Sequence, residues 1–437
     1  MTSNPMRILR HDSPRFRFQL KSLNRSAEAA PEVAATVSNI IAEVRGRGDA
    51  AVLEYTAKFG GPALKPAGMR VTAAEFQEAD TSTSDEVKAA LHLAHKNVRD
   101  FARRGLRKDW HMKNRQGVRV GESFHPFGRV GIYVPGGNAP LVSTAIMTVT
   151  LAATAGVPEI VVATPADSAG KVHPPLLHAL QLAGATEVYR IGGAQAITAL
   201  AYGTKTIAPV VKIFGPGNAY VVEAKRQVFG AVAIDLLPGP SEIMVIADQT
   251  ADPACLAADL LAQAEHGHGS VVFVTDSETI LTGIQTELKR QMAEALRGEH
   301  LAHVVEDGLF LVLVAQLGDA VAIANDFAPE HVAVVAENED ELARGIRTAG
   351  AIFLGHWSPV AGGDFVAGPS HELPTGGSGK SFSGLTVDQF QRRTSTVCFD
   401  RKSLKKSLGA IQTISAVEGL DRHGASAAIR ITSKQNE

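Results

Sequence analysis

The sequence predicts an α/β protein built on two doubly wound, Rossmann-like parallel sheets, and three observations carry that expectation. Short β-branched runs recur from about residue 129, most of them meet Gly or Pro at an end, and amphipathic segments of helical length lie between them. With 437 residues the chain exceeds one ordinary core and can hold two such domains with appendages. Near-continuous apolar strands alternating with helices mean sheets covered on both faces.

Residues 1–25 read as an N-terminal tail without the sustained apolar stretch of a signal core. Cys255 and Cys398 lie far apart and suggest no disulfide framework, so a reducing cytoplasm is expected. From residue 31 the Ala-rich run PEVAATVSNIIAEVRGRGDAAVLEYTAKF has helical spacing, and the region to residue 128 is expected to be largely helical and to pack on the second sheet. Its basic stretch, Lys96 to Lys108, predicts an amphipathic helix with Val98, Phe101 and Leu106 as the apolar side and a solvated cationic face.

The runs RVGIYV (129–134), EIVVAT (159–164), TEVYRI (186–191) and VVKIF (210–214) predict a Rossmann-like domain inserted over 129–238. A second set follows in EIMVIAD (242–248), SVVFVTD (270–276), LFLVLV (309–314), HVAVV (331–335) and AIFLG (351–355). These complete a larger, discontinuous domain of 26–128 and 239–379. After Gly379 the β pattern stops, and 380–437 reads as a helical tail with a final short extended piece. Too small to bury a core, it must dock on its own chain or on a partner subunit.

Lys plus Arg, 43, nearly balance Asp plus Glu, 45, so no overall field recruits nucleic acid or an anionic membrane, and a small-molecule partner fits better. No apolar run reaches, without interruption, the roughly 20 residues needed to cross a bilayer; the longest uncharged stretch, 130–158, is broken by Pro135, Gly136, Gly137, Asn138 and Pro140.

Glycine turns stand at three strand ends: Gly136-Gly137-Asn138 after Tyr133, Gly192-Gly193-Ala194-Gln195 after Ile191, and Gly215-Pro216-Gly217-Asn218. Such turns let the backbone approach a phosphate at a helix start, yet the full G-x-G-x-x-G spacing is missing, so a nucleotide site and plain strand-to-helix turns both remain open. Gln263 and His266 project from one helix face near its end and could touch one ion, or His266 could simply cap the helix. Glu330 and His331 sit side by side at a strand start, where both reach one substrate only if the backbone turns. Asp364 and His371 lie in AGGDFVAGPSHELPTGGSG, too polar and glycine-rich for a core and long for a connector.

Taken together, VGIYVPGG (130–137), IGGAQAI (191–197), FGPGNAYVVEAKRQVFG (214–230), GPSEIMVIAD (239–248), DLLAQAEH (259–266), APEH (328–331), GAIFLG (350–355), GDFVAGPSHELPTGG (363–377) and EGLDRH (418–423) resemble histidinol dehydrogenases from about Ser26 to Ile431. The resemblance implies one zinc ion per subunit on Gln263, His266, Asp364 and His423, with Glu330 and His331 as the acid/base pair. It implies NAD contacts at Tyr133, Gln195 and Asn218. Substrate would be bound by Ser143, Ser241, His371 and Glu418 together with Gln263, His266, Glu330, Asp364 and His423. The tail with Glu418 and His423 would reach into the partner's site, making a homodimer with shared active sites. The implied reaction oxidises L-histidinol to the aldehyde and then to L-histidine, using two NAD⁺ and a water.

Some positions depart from the family pattern. Gly267-His268-Gly269-Ser270 follows His266 where Asp is usual, Phe365 replaces Tyr, Ser370 replaces Asn, and IMTVTLAATAGV lacks a proline. Several of these features resemble a branch that oxidises sulfonated diols such as 2,3-dihydroxypropane-1-sulfonate. Glu418 offers a carboxylate to an ammonium group and would repel a sulfonate, so histidinol is the expected substrate. A non-catalytic ligand-binding paralogue would be marked by loss of an acid/base or metal residue, and none is lost.

Overall fold

The computed structural model describes residues 6–25, 30–136, 140–265, 269–295, 301, 305–306 and 308–433. Two parallel sheets dominate. In the first, β4 (Arg129–Tyr133) is central, with β5 (Glu159–Ala163) and β6 (Glu187–Tyr189) on one side and β7 (Lys212–Phe214) and β8 (Ala233–Ile234) on the other. In the second, β9 (Glu242–Ala247) lies between β10 (Ser270–Thr275) and β12 (His331–Val335); β11 (Leu309–Leu313) and β13 (Ala351–Leu354) stand outside them. Every residue of β9, β11 and β12 is buried, as strands covered on both faces require.

Five features differ from the sequence expectation. Residues 7–10 do not form part of a tail: they are strand β1 (Arg7–Arg10), which extends the second sheet in parallel beside β11. The helices between 31 and 105 do not cover the second sheet. Pro31–Arg47 buries Val37, Ile40 and Val44 in one core with Ile197, Leu200 and Val221 of the first sheet's helices. Asp85–Gly105 buries Leu91, Val98 and Ala102 with Ile146, Leu151 and Leu176 on its other face. An apolar stripe announces that a helix is covered, not by which sheet. Phe101 is exposed, and Ala94 and Ala102 complete the buried stripe in its place.

The remaining differences concern the region past Gly379 and the stretch before β4. β2 (Trp110–Lys113), β3 (Arg119–Pro126) and β14 (Gln391–Cys398) form a small antiparallel sheet, largely exposed and so lacking an apolar signature. Then come two helices, Arg401–Val417 and Asp421–Thr432; the second includes the end that reads as extended in sequence. They pack chiefly on each other. Ile414, Val417, Leu420 and Ile429 remain exposed.

Candidate functional site

The first sheet reverses its strand order between β4 and β7, and the crevice beyond their carboxyl ends is where doubly wound sheets take ligands. The turn after β7 stands there, as does the start of the turn after β4; residues 137–139 lie outside the described part. Gly215 has φ +104°, and a Cβ on it would stand 2.0 Å from the Tyr133 carbonyl oxygen. At Gly217 a Cβ would meet Val221 at 2.3 Å, and at Gly192 it would meet Pro165 at 2.5 Å. These glycines therefore have reasons within the protein's own packing, whatever else approaches them.

Tyr133 is buried, and its hydroxyl accepts a bond of 3.2 Å from the Gly193 amide. Gln195 is buried on the helix that this turn opens, with Oε1 unpartnered among the described residues. Asn218 caps the helix Ala219–Val228, accepting from the amides of Tyr220 and Val221.

The second group of residues gathers at the amino end of the second sheet. His331 opens β12, and the turn before it is made by Ala328, at φ +52° the one described non-glycine residue with positive φ. That turn brings both neighbouring side chains onto the backbone of one residue, Glu242, of the adjacent strand β9. The Glu242 amide donates to Glu330 Oε2 at 2.8 Å, and the Glu242 carbonyl lies 3.1 Å from His331 Nδ1. A carbonyl accepts only, so Nδ1 carries the hydrogen and a neutral ring keeps its lone pair on Nε2.

His331 Nε2 stands 3.4 Å from Asp364 Oδ1, and His331 Nδ1 stands 3.6 Å from Glu330 Oε2. Burial pushes the Glu330 carboxyl up to about 7, against the opposing pull of His331 and of the Glu242 amide. Burial alone would keep His331 neutral; the Asp364 and Glu330 carboxylates outweigh it and raise its proton affinity.

Asp364 belongs to a short helix, Val360–Phe365, rather than to open loop, and that helix touches the helix Pro253–Ala264 carrying Gln263. Gln263 is buried, its amide nitrogen unpartnered among the described residues. His371 Nδ1 donates to the Asp364 carbonyl at 2.9 Å, and its Nε2 meets Thr144 Oγ1 at 3.2 Å. Thr144 and Ser143 open the helix Val142–Ala155 that follows β4, so this contact joins the two sheets. Ser241 immediately precedes β9 and the Glu242 hub.

Glu330, His331, Asp364 and His371 thus come together, with Gln263 on a touching helix. His266 lies outside the described residues, as do Gly267 and His268. Glu418 and His423 are exposed on the C-terminal helix pair and do not join the group. Among the described residues no three His, Cys, Asp or Glu side chains form a metal-holding cluster.

Sequence reasoning missed Arg25 and Glu242. The buried Glu242 carboxylate pairs with the Arg25 guanidinium and accepts the Gly376 amide at 3.0 Å. Arg25 also donates to the Phe327 carbonyl at 2.6 Å and stacks on the Phe327 ring, bracing the segment that leads to Glu330. A charged residue opening an otherwise apolar strand was the available signal.

Residues 23–431 match the family model described as histidinol dehydrogenase. The histidinol dehydrogenase of Rhizobium meliloti is 44% identical over 94% of this chain and 94% of its own length. That of Heliobacterium mobile is 42% identical over 91% of this chain and 94% of its own. Among solved structures, histidinol dehydrogenase from Elizabethkingia anophelis superposes with a TM-score of 0.93 at 31% identity, covering 99% of each chain.

Proposed function

The chain belongs to the histidinol dehydrogenase family, and on that premise we propose that it oxidises L-histidinol to L-histidine through the aldehyde, in two NAD-linked steps with one zinc ion per subunit. The single observation that carries this reading is the backbone of Glu242, which holds Glu330 by its amide and His331 by its carbonyl. A carboxylate and an imidazole oriented by one rigid strand suit proton transfers at one substrate carbon.

His331 would take the hydroxyl proton on Nε2, and NAD⁺, held at the turns of the first sheet, would supply the hydride acceptor. Glu330, pushed by burial to about 7, takes a proton from the water that adds to the aldehyde. His371, held by the Asp364 carbonyl and Thr144, is assigned as a substrate contact, with Ser143 next to Thr144 and Ser241 next to Glu242 in sequence. Tyr133, Gln195 and Asn218 line the turns assigned to NAD.

The donor set fits zinc. Gln263 is a buried carboxamide whose Oε1 would be the binding atom, Asp364 stands on a helix touching its own, and His266 and His423 would supply imidazoles. The ion, when bound, supplies a Lewis acid that orients the alcohol without redox change.

His423 and Glu418 would come from a second subunit. The helix pair that carries them buries little on its own chain and leaves Val417 84% and Ile429 63% exposed, which favours a homodimer with shared sites. A cytoplasmic setting is part of the proposal and rests on the two distant cysteines, Cys255 and Cys398, which suggest no disulfide framework.

The decisive experiment counts NADH formed by purified protein per L-histidinol consumed, with 2,3-dihydroxypropane-1-sulfonate in parallel. Two NADH per histidinol and histidine as product are expected. Turnover of the sulfonated diol alone would overturn the substrate.

A further inference from the structure

The turn after β7 is held from beneath by an ion pair that neither the catalytic chemistry nor the metal set uses. Lys225 lies on the helix Ala219–Val228, and its side chain leans toward the helix start, as helical side chains do. It thereby reaches back under the turn and donates from Nζ to the Gly215 carbonyl at 2.8 Å. Asp235 follows β8, the neighbouring strand. Its amide continues the ladder to the Ile213 carbonyl at 3.1 Å, while its Oδ2 accepts the Gly215 amide at 2.7 Å. The same carboxylate pairs with Lys225, and the two side chains are 0% and 3% exposed.

Both backbone polar groups of Gly215, its N–H and its carbonyl, are therefore tied to the two members of one buried ion pair. A buried pair is weak evidence for stability, because desolvation consumes much of its attraction, and apolar replacement is often neutral. Its conformational role here is more specific. Gly215 sits at φ +104°, with its α-carbon pressed against the Tyr133 carbonyl, and from there the chain passes through Pro216 and Gly217 to the Asn218 cap. Losing either bond would leave a backbone group of Gly215 unheld at the base of the turn.

We propose that Lys225 and Asp235 form a buried clamp that presets the Gly215 turn for NAD, making both of them positioning residues for the cofactor. This rests on the assignment of that turn to NAD. Preorganisation of this kind lowers the cost of ordering a loop on binding, so its loss acts on cofactor affinity before it acts on chemistry.

The test uses two double variants of the full-length, zinc-loaded protein. Lys225→Met with Asp235→Leu removes both charges together, avoiding an unpaired buried ion. Lys225→Gln with Asp235→Asn keeps a donor and an acceptor, and carries the test if the apolar pair fails to fold. In the folded apolar pair, the KM for NAD⁺ and the Kd for NADH by fluorescence titration should rise about tenfold or more, with the histidinol KM within about twofold of wild type. The polar pair should fall between the two.

Unchanged NADH affinity in a folded double variant, or equal shifts in both KM values, overturns the clamp. Gln195→Ala and Asn218→Ala serve as controls. If they weaken NADH binding while the double variants do not, the clamp alone is wrong. If none of the four affects NADH binding, the cofactor assignment of these turns fails with it.

Discussion

At the scale of single residues, the backbone of Glu242 explains how two neighbours at a strand start are held side by side. Glu330 and His331 would point apart in regular extended chain. The left-handed Ala328 re-aims the backbone before them, and β9 supplies one N–H and one carbonyl in the right register. If Glu330 activates water, Glu330→Gln should slow alcohol-to-acid turnover by about 100-fold to 10,000-fold, the scale of a lost general base. Rapid mixing should still show a burst of NADH from the first oxidation. His331→Asn should depress the burst itself. Loss of the burst in Glu330→Gln would place that carboxylate in the first step as well.

At the scale of elements, the helix Ala73–Ser82 shows a start signal fully expressed in structure. Thr72 accepts from the Glu75 amide, and the Glu75 carboxylate accepts from the Thr72 amide at 2.8 Å. Glu75 also takes the Arg190 guanidinium at 2.6 Å, tying the helix to the end of β6. Burial tends to raise its pKa, but the bonds from Arg190 and Thr72 prevail and draw it from 4.5 to about 2. A depressed carboxyl contributes stability that is present above its unfolded value and fades as pH falls through its folded one. The stability gap between wild type and Glu75→Gln, read from denaturant midpoints, should therefore be full above about pH 4.5 and should close toward pH 2. A gap independent of pH would mean that packing, not charge, accounts for it.

For the whole molecule, the exposed C-terminal helix pair is the feature that one chain leaves unfinished. It carries Glu418 and His423 away from the Glu330–His331 group, and its apolar side chains have no cover. Two inactive proteins, His423→Ala and Glu330→Gln, should therefore regain part of the activity when co-expressed as heterodimers, since one of the two sites would then receive only intact residues. No recovery in verified heterodimers would mean that the tail folds back onto its own chain.

Local chemistry in the sequence determined a great deal. The apolar runs at 242–247, 270–275 and 331–335 read as buried parallel strands and are such, and the nine motifs carried the family. Tertiary structure decided what local pattern does not encode. The stripe of Pro31–Arg47 is satisfied by any apolar surface, and only packing assigned it to the first sheet. β1 has four residues, two of them arginine, and becomes a strand because β11 offers an open edge. Arg25 and Glu242 are ordinary charges in sequence, and the Lys225–Asp235 clamp joins residues whose partners are set by the β7–β8 pairing. A hydrogen bond between distant segments depends on where the backbone brings them, which only the folded chain specifies.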